Sequence, residues 1–358
     1  MGTLISFPGL GIEVTINRVA FSIGSLDVYW YGILIGLGAL LAMLYACVFK
    51  LKYFGLDEDR VIDVIFAGTV FAVIGARLYY IAFSGLPLTD FLSVRDGGLG
   101  FYGAVIGAFI AGAITAKIRK VRVLPLLDLA SIGFLLGQGI GRWGNFVNQE
   151  AFGTNTALPW GMTSRVVENY LSYNQASLAV QGMIVDPLMP IHPTFLYESL
   201  WCLLGFIVFN AYIKHRKFDG EILLMYLGWN GIGRSVIEGL RTDSLYIGEF
   251  RVSQLLAIFG VILAVLAIIS IRVYINRPAE SEKFIPYGMT EQCVKDMREL
   301  QSAREEELRR RDAKRRGIPY VPPMVAEPEV VARKLVWSAP FVMVRRESAK
   351  SENKSESE

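Results

Sequence analysis

The chain has 358 residues, of which 53% are hydrophobic, 12% aromatic and only 19% charged. Soluble globular proteins carry about 25% charged residues, so this composition excludes an ordinary cytosolic enzyme. The net charge of +3 is too small to indicate a nucleic-acid partner. Three cysteines, two of them in apolar runs, exclude a disulfide scaffold.

Charge is distributed unevenly along the chain. Of its 36 basic and 33 acidic residues, 17 and 15 lie in residues 277–358. The remaining residues 1–276 have the composition of a polytopic membrane domain. We therefore predict a transmembrane domain at residues 1–276 and a charged cytoplasmic tail at residues 277–358, partly helical and partly disordered.

Seven apolar runs approach the ~20 residues that a spanning helix needs. They lie at residues 29–49, 61–83, 99–118, 126–140, 194–213, 222–237 and 252–274. The first run is too long for a cleavable signal peptide and is expected to remain as an anchor. The predicted fold is an all-α integral membrane protein of about seven transmembrane helices, with a small extracytoplasmic head at about residues 141–193. Small faces such as the one carrying Gly103 and Gly107 predict close helix packing.

Basic residues predict the orientation. Every lysine of the membrane domain follows the first, third or fifth run: Lys50, Lys52, Lys117, Lys120, Lys214 and Lys217. Cytoplasmic loops carry such an excess, so the N-terminus is expected outside and the tail in the cytoplasm. Within the tail, Glu-to-Arg spacings of four predict a helix over Glu291–Arg316. The end, residues 348–358, is expected to be disordered.

Ionisable side chains inside apolar runs are costly and often functional. They are Asp63, Arg77, Asp128, Glu198, Arg234 and Glu238. The two aspartates lie near helix starts, so we interpret them as caps, whereas Arg77 stays open between an ion pair and a functional role. Arg234, Glu238 and Arg241 share one helical face by their spacing, and two arginines held by a glutamate suit an anionic phosphate ligand.

The densest polar cluster lies at residues 139–150, where glycines predict a tight bend at the outer surface. Arg142 can bind phosphate there, Asn145 and Asn148 can orient hydroxyl or carbonyl groups, and Glu150 can pair with an arginine. His192, at the membrane edge, is interpreted as a structural hydrogen bonder rather than a base. The sequence has no metal motif, P-loop or serine-hydrolase elbow, so we expect neither a metal nor a cofactor.

Several motifs together resemble the bacterial phosphatidylglycerol–prolipoprotein diacylglyceryl transferases. The signature-like segment is GRWGNFVNQE at residues 141–150, supported by WYG at 30–32, DGGLGFYG at 96–103, HPTFLYE at 192–198 and GRSVIEGLR at 233–241. The resemblance implies transfer of the sn-1,2-diacylglyceryl group of phosphatidylglycerol to the lipobox cysteine of prolipoproteins, with release of glycerol phosphate. Its implied partners are phosphatidylglycerol, prolipoprotein signal peptides and the lipid bilayer of the bacterial inner membrane, with no nucleic acid.

The resemblance also implies residue roles. Arg142 and Arg234 would grip the phosphate, Asn145 would fix the head group, and Glu238 would orient Arg234. The family's essential tyrosine corresponds to Tyr31, and Gly153 corresponds to a glycine that leaves room for lipid. Asn148, Glu150, His192 and Arg241 complete the expected substrate-binding set.

Two positions depart from the family pattern. Tyr102 stands where many members have a histidine, and a phenol with a pKa near 10 is a poor base at neutral pH. Asn230 stands where some members have tyrosine. Two alternatives remain open: a transporter or flippase for an anionic lipid, and a receptor or scaffold that reads out through the tail.

Overall fold

The computed structural model describes residues 2–24, 26–87, 89, 91, 98, 100–242, 246–247, 250–277 and 285–320. The chain forms two units, Met1–Thr290 and Glu291–Glu358. The helices of the first unit are α1 (Trp30–Leu44), α2 (Leu51–Phe54), α3 (Glu58–Ser84), α4 (Phe101–Ile118), α5 (Val123–Asn148), α6 (Arg165–Val180), α7 (Thr194–Tyr212), α8 (Glu221–Ile237) and α9 (Val252–Ile275).

Each of the seven predicted apolar runs falls on a helix. Within the described residues, five helical segments are long and apolar enough to cross a membrane. They are Trp30–Phe54, in which a π-helical turn joins α1 to α2, then α3, α5, Thr194–His215, which contains α7, and α9. The apolar α4 is shorter, and α8 carries charged residues near both ends. The protein is therefore a multi-pass, mainly α-helical membrane protein.

Helix α5 is the centre of the bundle, because it packs against α1, α7 and α8, whereas α4 packs on α3. Glycines allow the closest approaches. A Cβ on Gly103 would lie 2.2 Å from the Gly75 carbonyl oxygen, and one on Gly107 would lie 2.2 Å from that of Phe71. The predicted small-residue face of α4 is confirmed as a packing surface.

Short strands add a β component that was not expected from the sequence. Strands β1 (Thr3–Phe7) and β2 (Ile12–Ile16) form an antiparallel hairpin, and β1 also pairs with β5 (Thr163–Ser164). Two further hairpins join β3 (Val19–Ile23) to β4 (Leu26–Tyr29) and β6 (Tyr246–Ile247) to β7 (Phe250–Arg251).

The first hairpin belongs to the head of the membrane unit. Ile5 of β1 is buried in one hydrophobic cluster with head residues that include Phe152, Met162, Leu171 and Ile191. The N-terminal strands and the segment between α5 and α7 therefore share a core and lie at the same end of the bundle.

The two aspartates in the apolar runs, Asp63 and Asp128, have structural contacts. Asp63 is not a cap, since Asp57 accepts the hydrogen bond from the Arg60 N–H at the start of α3. Asp63 instead lies 2.6 Å from the Arg119 guanidinium. Asp128 does cap a helix, but a neighbouring one: its carboxylate accepts hydrogen bonds from the N–H groups of Gly220 and Leu223 at the start of α8, each 2.8 Å long.

Arg77, on α3, is buried and contacts two described residues that come before α4. Its guanidinium donates hydrogen bonds to the carbonyl oxygens of Phe91 (3.1 Å) and Gly98 (3.0 Å). This environment favours the structural interpretation of Arg77. Most of the DGGL motif next to it lies outside the described residues.

The first unit includes a short segment after α9. The Tyr287 ring lies 3.8 Å from the guanidinium carbon of Arg122, and the Tyr287 N–H donates to the Asp219 carboxylate. Gly288 packs against the Tyr53 carbonyl group. These contacts attach residues 285–290 to the ends of the helices opposite the head.

The second unit contains α10 (Glu291–Arg316), which has the predicted bounds. Two of the predicted (i, i+4) ion pairs are present, Glu306–Arg310 at 2.5 Å and Glu307–Arg311 at 2.7 Å. Local spacing is therefore sufficient to predict this helix. The expected disordered end, residues 348–358, lies outside the described residues.

Candidate functional site

The polar segment at residues 139–150 is helical. The predicted bend is wrong, because α5 continues to Asn148 and ends only where Gln149 adopts a left-handed conformation with φ of 55°. The glycines of this segment serve packing instead: a Cβ on Gly144 would lie 2.5 Å from the ring of Tyr31. Arg142 and Asn145 therefore project from the last two turns of α5, next to Tyr31.

Glu198 on α7 joins three arginines from different parts of the chain. Its carboxylate lies 2.8 Å from Arg142 on α5, 3.7 Å from Arg234 on α8 and 3.8 Å from Arg241. Its side chain is almost fully buried. Arg142 and Arg234, from separate helices, thus converge on one carboxylate.

Glu238 forms the second carboxylate of the cluster. It lies 2.7 Å from Arg234, one helical turn earlier, and is buried. The prediction that Arg241 continues the same helical face is wrong. Helix α8 ends at Ile237, a 3-10 turn covers Glu238–Leu240, and Arg241 is extended and bridges to Gly153.

Contacts made by the residues that follow Glu198 on α7 fix its position. The Ser199 hydroxyl donates to the Gly139 carbonyl of α5 at 2.7 Å. Trp201 and Trp229 stack with ring centroids 4.3 Å apart, and each indole N–H donates to the other residue's carbonyl group. Helix α7 is therefore fastened to both arginine-bearing helices next to the carboxylate.

The segment that follows α5 forms backbone hydrogen bonds with the residues just before α7 and just after α8. The Gly153 N–H donates to the His192 carbonyl at 2.9 Å, and the Thr154 N–H donates to that of Leu240 at 2.8 Å. A Cβ on Gly153 would lie 2.7 Å from the His192 Cβ. The missing side chain of Gly153 therefore makes room for protein, whereas the family resemblance implies room for lipid.

Glu150 accepts hydrogen bonds from amides, although the sequence suggested an arginine partner. The Asn145 and Asn148 side chains donate to it at 3.0 Å and 3.4 Å. Asn148 in turn accepts from the Arg18 guanidinium at 3.3 Å. These residues form an outer polar layer at the head end of α5.

His192 lies in a hydrogen-bonded chain of aromatic residues. Its Nδ1 is 3.0 Å from the Tyr197 hydroxyl, which accepts from the Trp160 indole N–H at 2.8 Å. Burial lowers the pKa of His192. A neutral ring that accepts the Tyr197 proton fits this arrangement and supports the structural interpretation.

This environment predicts a pH effect on stability. Because the pKa of His192 is lower in the folded chain, the unfolded chain binds the proton more tightly once the pH falls below about 6.5. The apparent melting temperature should therefore decrease from pH 7 to pH 5, and His192→Gln should reduce that decrease. His215→Gln, at an exposed position, is the matched control. An unchanged pH dependence in His192→Gln would contradict this interpretation.

Tyr102 and Asn230, the two positions that depart from the family pattern, contact residues other than those around Glu198. Tyr102 is 67% exposed on α4, which packs on α3, and its ring lies 6.2 Å from that of Tyr79. Asn230 donates to the Tyr226 carbonyl of its own helix at 3.0 Å. Of the predicted site residues, Arg142, Arg234 and Arg241 thus meet around Glu198, and Glu238 joins them through Arg234. Tyr31 and Asn145 lie beside Arg142.

The described ion pairs of the cluster involve more guanidinium groups than carboxylates. The guanidinium groups of Arg142, Arg234 and Arg241 lie within 4 Å of two carboxylates, those of Glu198 and Glu238. The carboxylates are buried, whereas the Arg142 and Arg234 side chains are 31% and 35% exposed. Such an arrangement can bind a singly charged anion such as a phosphodiester.

Glu198 is recognisable in the sequence as an ionisable residue in an apolar run, but it was not predicted to be part of the site. A carboxylate in an apolar run needs a cationic partner, and arginines unmatched by Glu238 were available. The larger number of arginines than of carboxylates among these residues was the signal that could have identified Glu198 as their partner.

Comparisons with known proteins identify the family of the chain. The family model for prolipoprotein diacylglyceryl transferases matches residues 18–270. A phosphatidylglycerol–prolipoprotein diacylglyceryl transferase of Clostridium perfringens is 40% identical over 263 residues, which cover 71% of this chain and 94% of the relative. Similar relatives occur in Finegoldia magna (41% over 256 residues; 70% and 94%) and Bacillus cereus (38% over 264 residues; 73% and 94%). The chain belongs to the prolipoprotein diacylglyceryl transferase family.

Proposed function

We propose that this chain transfers the diacylglyceryl group of phosphatidylglycerol to the cysteine thiol of prolipoproteins. The sulfur attacks the glyceryl carbon, a carbon–sulfur bond forms, and the bond from that carbon to the phosphate oxygen breaks. Glycerol phosphate leaves with the electron pair. The observation that carries the proposal is the convergence of the Arg142 and Arg234 guanidinium groups on Glu198.

The arginines act on the phosphate in two ways. Arg142 and Arg234 bind the phosphodiester of the substrate through paired N–H groups. As the carbon–oxygen bond breaks, negative charge grows on the departing phosphate, and guanidinium groups already in place stabilise it. Glu238 and Glu198 hold the guanidinium groups in position, and Arg241 adds a third cation to the cluster.

The remaining polar residues position the substrates. Asn145, tied to Glu150 and lying one turn from Arg142, suits contact with the glycerol head group. The Tyr31 ring packs on the α5 backbone at Gly144, between Arg142 and Asn145, and closes the site at this point. His192 and Gly153 act indirectly, by fixing the segment between α5 and α7.

The thiol proton does not need Tyr102. A free cysteine has a pKa near 8.5, and nearby cations lower the pKa of a thiol. The positive charge of the arginine cluster therefore favours a thiolate nucleophile without a dedicated phenolate base.

The Tyr102→Phe variant tests this point. We expect it to keep at least about half of the wild-type kcat/KM, because a phenol with a pKa near 10 supplies little base at pH 7. The measurement is the rate of diacylglyceryl transfer from pH 6 to pH 9. A complete loss of transfer would show that the hydroxyl takes part in the reaction.

We place the head outside the bacterial inner membrane and the tail in the cytoplasm. The N-terminal hairpin shares a core with the head, so the N-terminus lies on the head side of the bundle. The lysines of the membrane unit lie towards the other ends of the helices, which the positive-inside rule assigns to the cytoplasm. The arginine cluster then lies near the outer leaflet.

A purified two-substrate assay tests the function. The full chain is incubated with phosphatidylglycerol vesicles and a lipobox peptide, and the peptide is analysed by mass spectrometry. We expect the mass of one diacylglyceryl group to be added to the cysteine, and no addition when that cysteine is replaced by serine. Movement of lipid between leaflets without any peptide modification would instead indicate a flippase.

A further inference from the structure

The head carries an exposed group of aliphatic side chains on a well-held loop. Val180 at the end of α6 is 89% exposed, and Ile184 and Leu188 in the following loop are 94% and 81% exposed. We name these three residues the apolar tip. The proposed reaction uses none of them.

The loop that carries the tip is fixed by contacts on its inner side. Met183 and Val185, which flank Ile184, are buried in the head core. The Gln175 side chain donates to the Val185 carbonyl at 3.0 Å. The Asn155 side chain donates to the Asp186 carbonyl at 2.8 Å and accepts from the Asp186 N–H at 2.7 Å. Ile184 thus points outward because its neighbours are held inward.

The loop lies at the head-side end of a membrane-spanning helix. The Arg251 guanidinium contacts the Met183 sulfur at 3.7 Å, and α9 begins at the next residue, Val252. The first turns of α9 expose large apolar side chains, namely Leu255, Leu256 and Phe259. On a helix that crosses the bilayer, such side chains face lipid. The apolar tip is therefore close to an existing lipid-facing surface.

We propose that the apolar tip inserts into the outer leaflet and holds the head against the bilayer next to α9. The occupant is lipid, because the side chains are aliphatic and the loop backbone is bonded to its own head. Tyr173 lies on α6 seven residues before Val180 and is 89% exposed. It suits the headgroup level of the bilayer, where tyrosines concentrate. Insertion keeps the head at a fixed height above the phosphates of the leaflet.

Site-directed spin labelling tests this proposal on the full chain. Ile184→Cys and, separately, Leu188→Cys are made in a background where the three native cysteines are alanine. Each is labelled with a nitroxide and reconstituted in nanodiscs of phosphatidylglycerol and phosphatidylcholine. The matched control is Asn169→Cys, an exposed polar position near the start of α6.

The expected result is that the labels at residues 184 and 188 collide more with oxygen, which partitions into lipid, than with a water-soluble nickel chelate. The label at residue 169 should show the reverse. Access of the nickel chelate to residues 184 and 188 equal to that at residue 169 would overturn the proposal. Protection from both reagents would also overturn it, because it indicates a protein partner on the tip. The readout does not depend on catalytic activity.

Discussion

Replacing Arg142 or Arg234 by alanine is expected to reduce diacylglyceryl transfer by about 100-fold or more. Removal of one preorganised group that stabilises developing charge typically costs 10²–10³ in kcat. Both arginines approach the same carboxylate from separate helices, so neither can replace the other. The measurement is kcat/KM for phosphatidylglycerol with the lipobox peptide in excess.

Lysine variants at the same positions separate charge from geometry. Arg142→Lys keeps the cation but loses the planar fork, so we expect activity between that of wild type and that of alanine. Arg165→Ala, at an exposed position at the start of α6, is the control for loss of a head arginine. Wild-type activity of Arg142→Ala or Arg234→Ala in correctly inserted protein would contradict the assigned site.

Replacing Glu198 by glutamine is expected to lower kcat/KM by about 10- to 100-fold, which corresponds to about 1.4–2.8 kcal/mol. The substitution keeps the size of the side chain but removes the negative charge that all three guanidinium groups approach. Their mutual repulsion should displace Arg142 and Arg234 from the arrangement that binds phosphate. Loss of one partner from a buried ion pair is also destabilising, so the melting temperature should fall.

A charge-matched double variant makes this prediction specific. Glu198→Gln combined with Arg241→Gln removes one charge of each sign from the cluster. If repulsion is the cause, the double variant should recover part of the stability lost in Glu198→Gln, a non-additive result expected of residues in one network. Additive losses in the double variant would show that Glu198 does not act through the arginine charges. Glu13→Gln, on exposed β2, controls for loss of a carboxylate in the head.

Features set by local sequence were predicted well. The apolar runs coincide with helices because crossing a bilayer requires long stretches of apolar residues. The bounds of α10 and its Glu–Arg pairs follow from spacings of four. The same logic gave the pair of Arg234 and Glu238.

Features set by distant contacts were not predicted. Strand β1 pairs with β5 about 160 residues later, and strands of two to five residues give little periodic signal. The bend at residues 139–150 was expected from glycines, but Gly144 is needed where the Tyr31 ring packs on α5. Asp128 lies near the start of α5 and was interpreted as a cap there. Its carboxylate instead accepts hydrogen bonds from N–H groups at the start of α8.

The site shows the same division. Its individual arginines were identifiable, because cations in apolar runs are rare and costly. Their common partner was not, since Glu198 is 56 residues from Arg142 and 36 from Arg234. Only the packing of α5, α7 and α8 brings these three side chains together.

The most direct test of the account is a structure of the full chain with phosphatidylglycerol bound. We predict that the lipid phosphate lies within hydrogen-bond distance of both the Arg142 and the Arg234 guanidinium groups, while Glu198 and Glu238 keep their contacts to the arginines. A phosphate bound elsewhere, with Arg142 and Arg234 contacting only carboxylates, would contradict it.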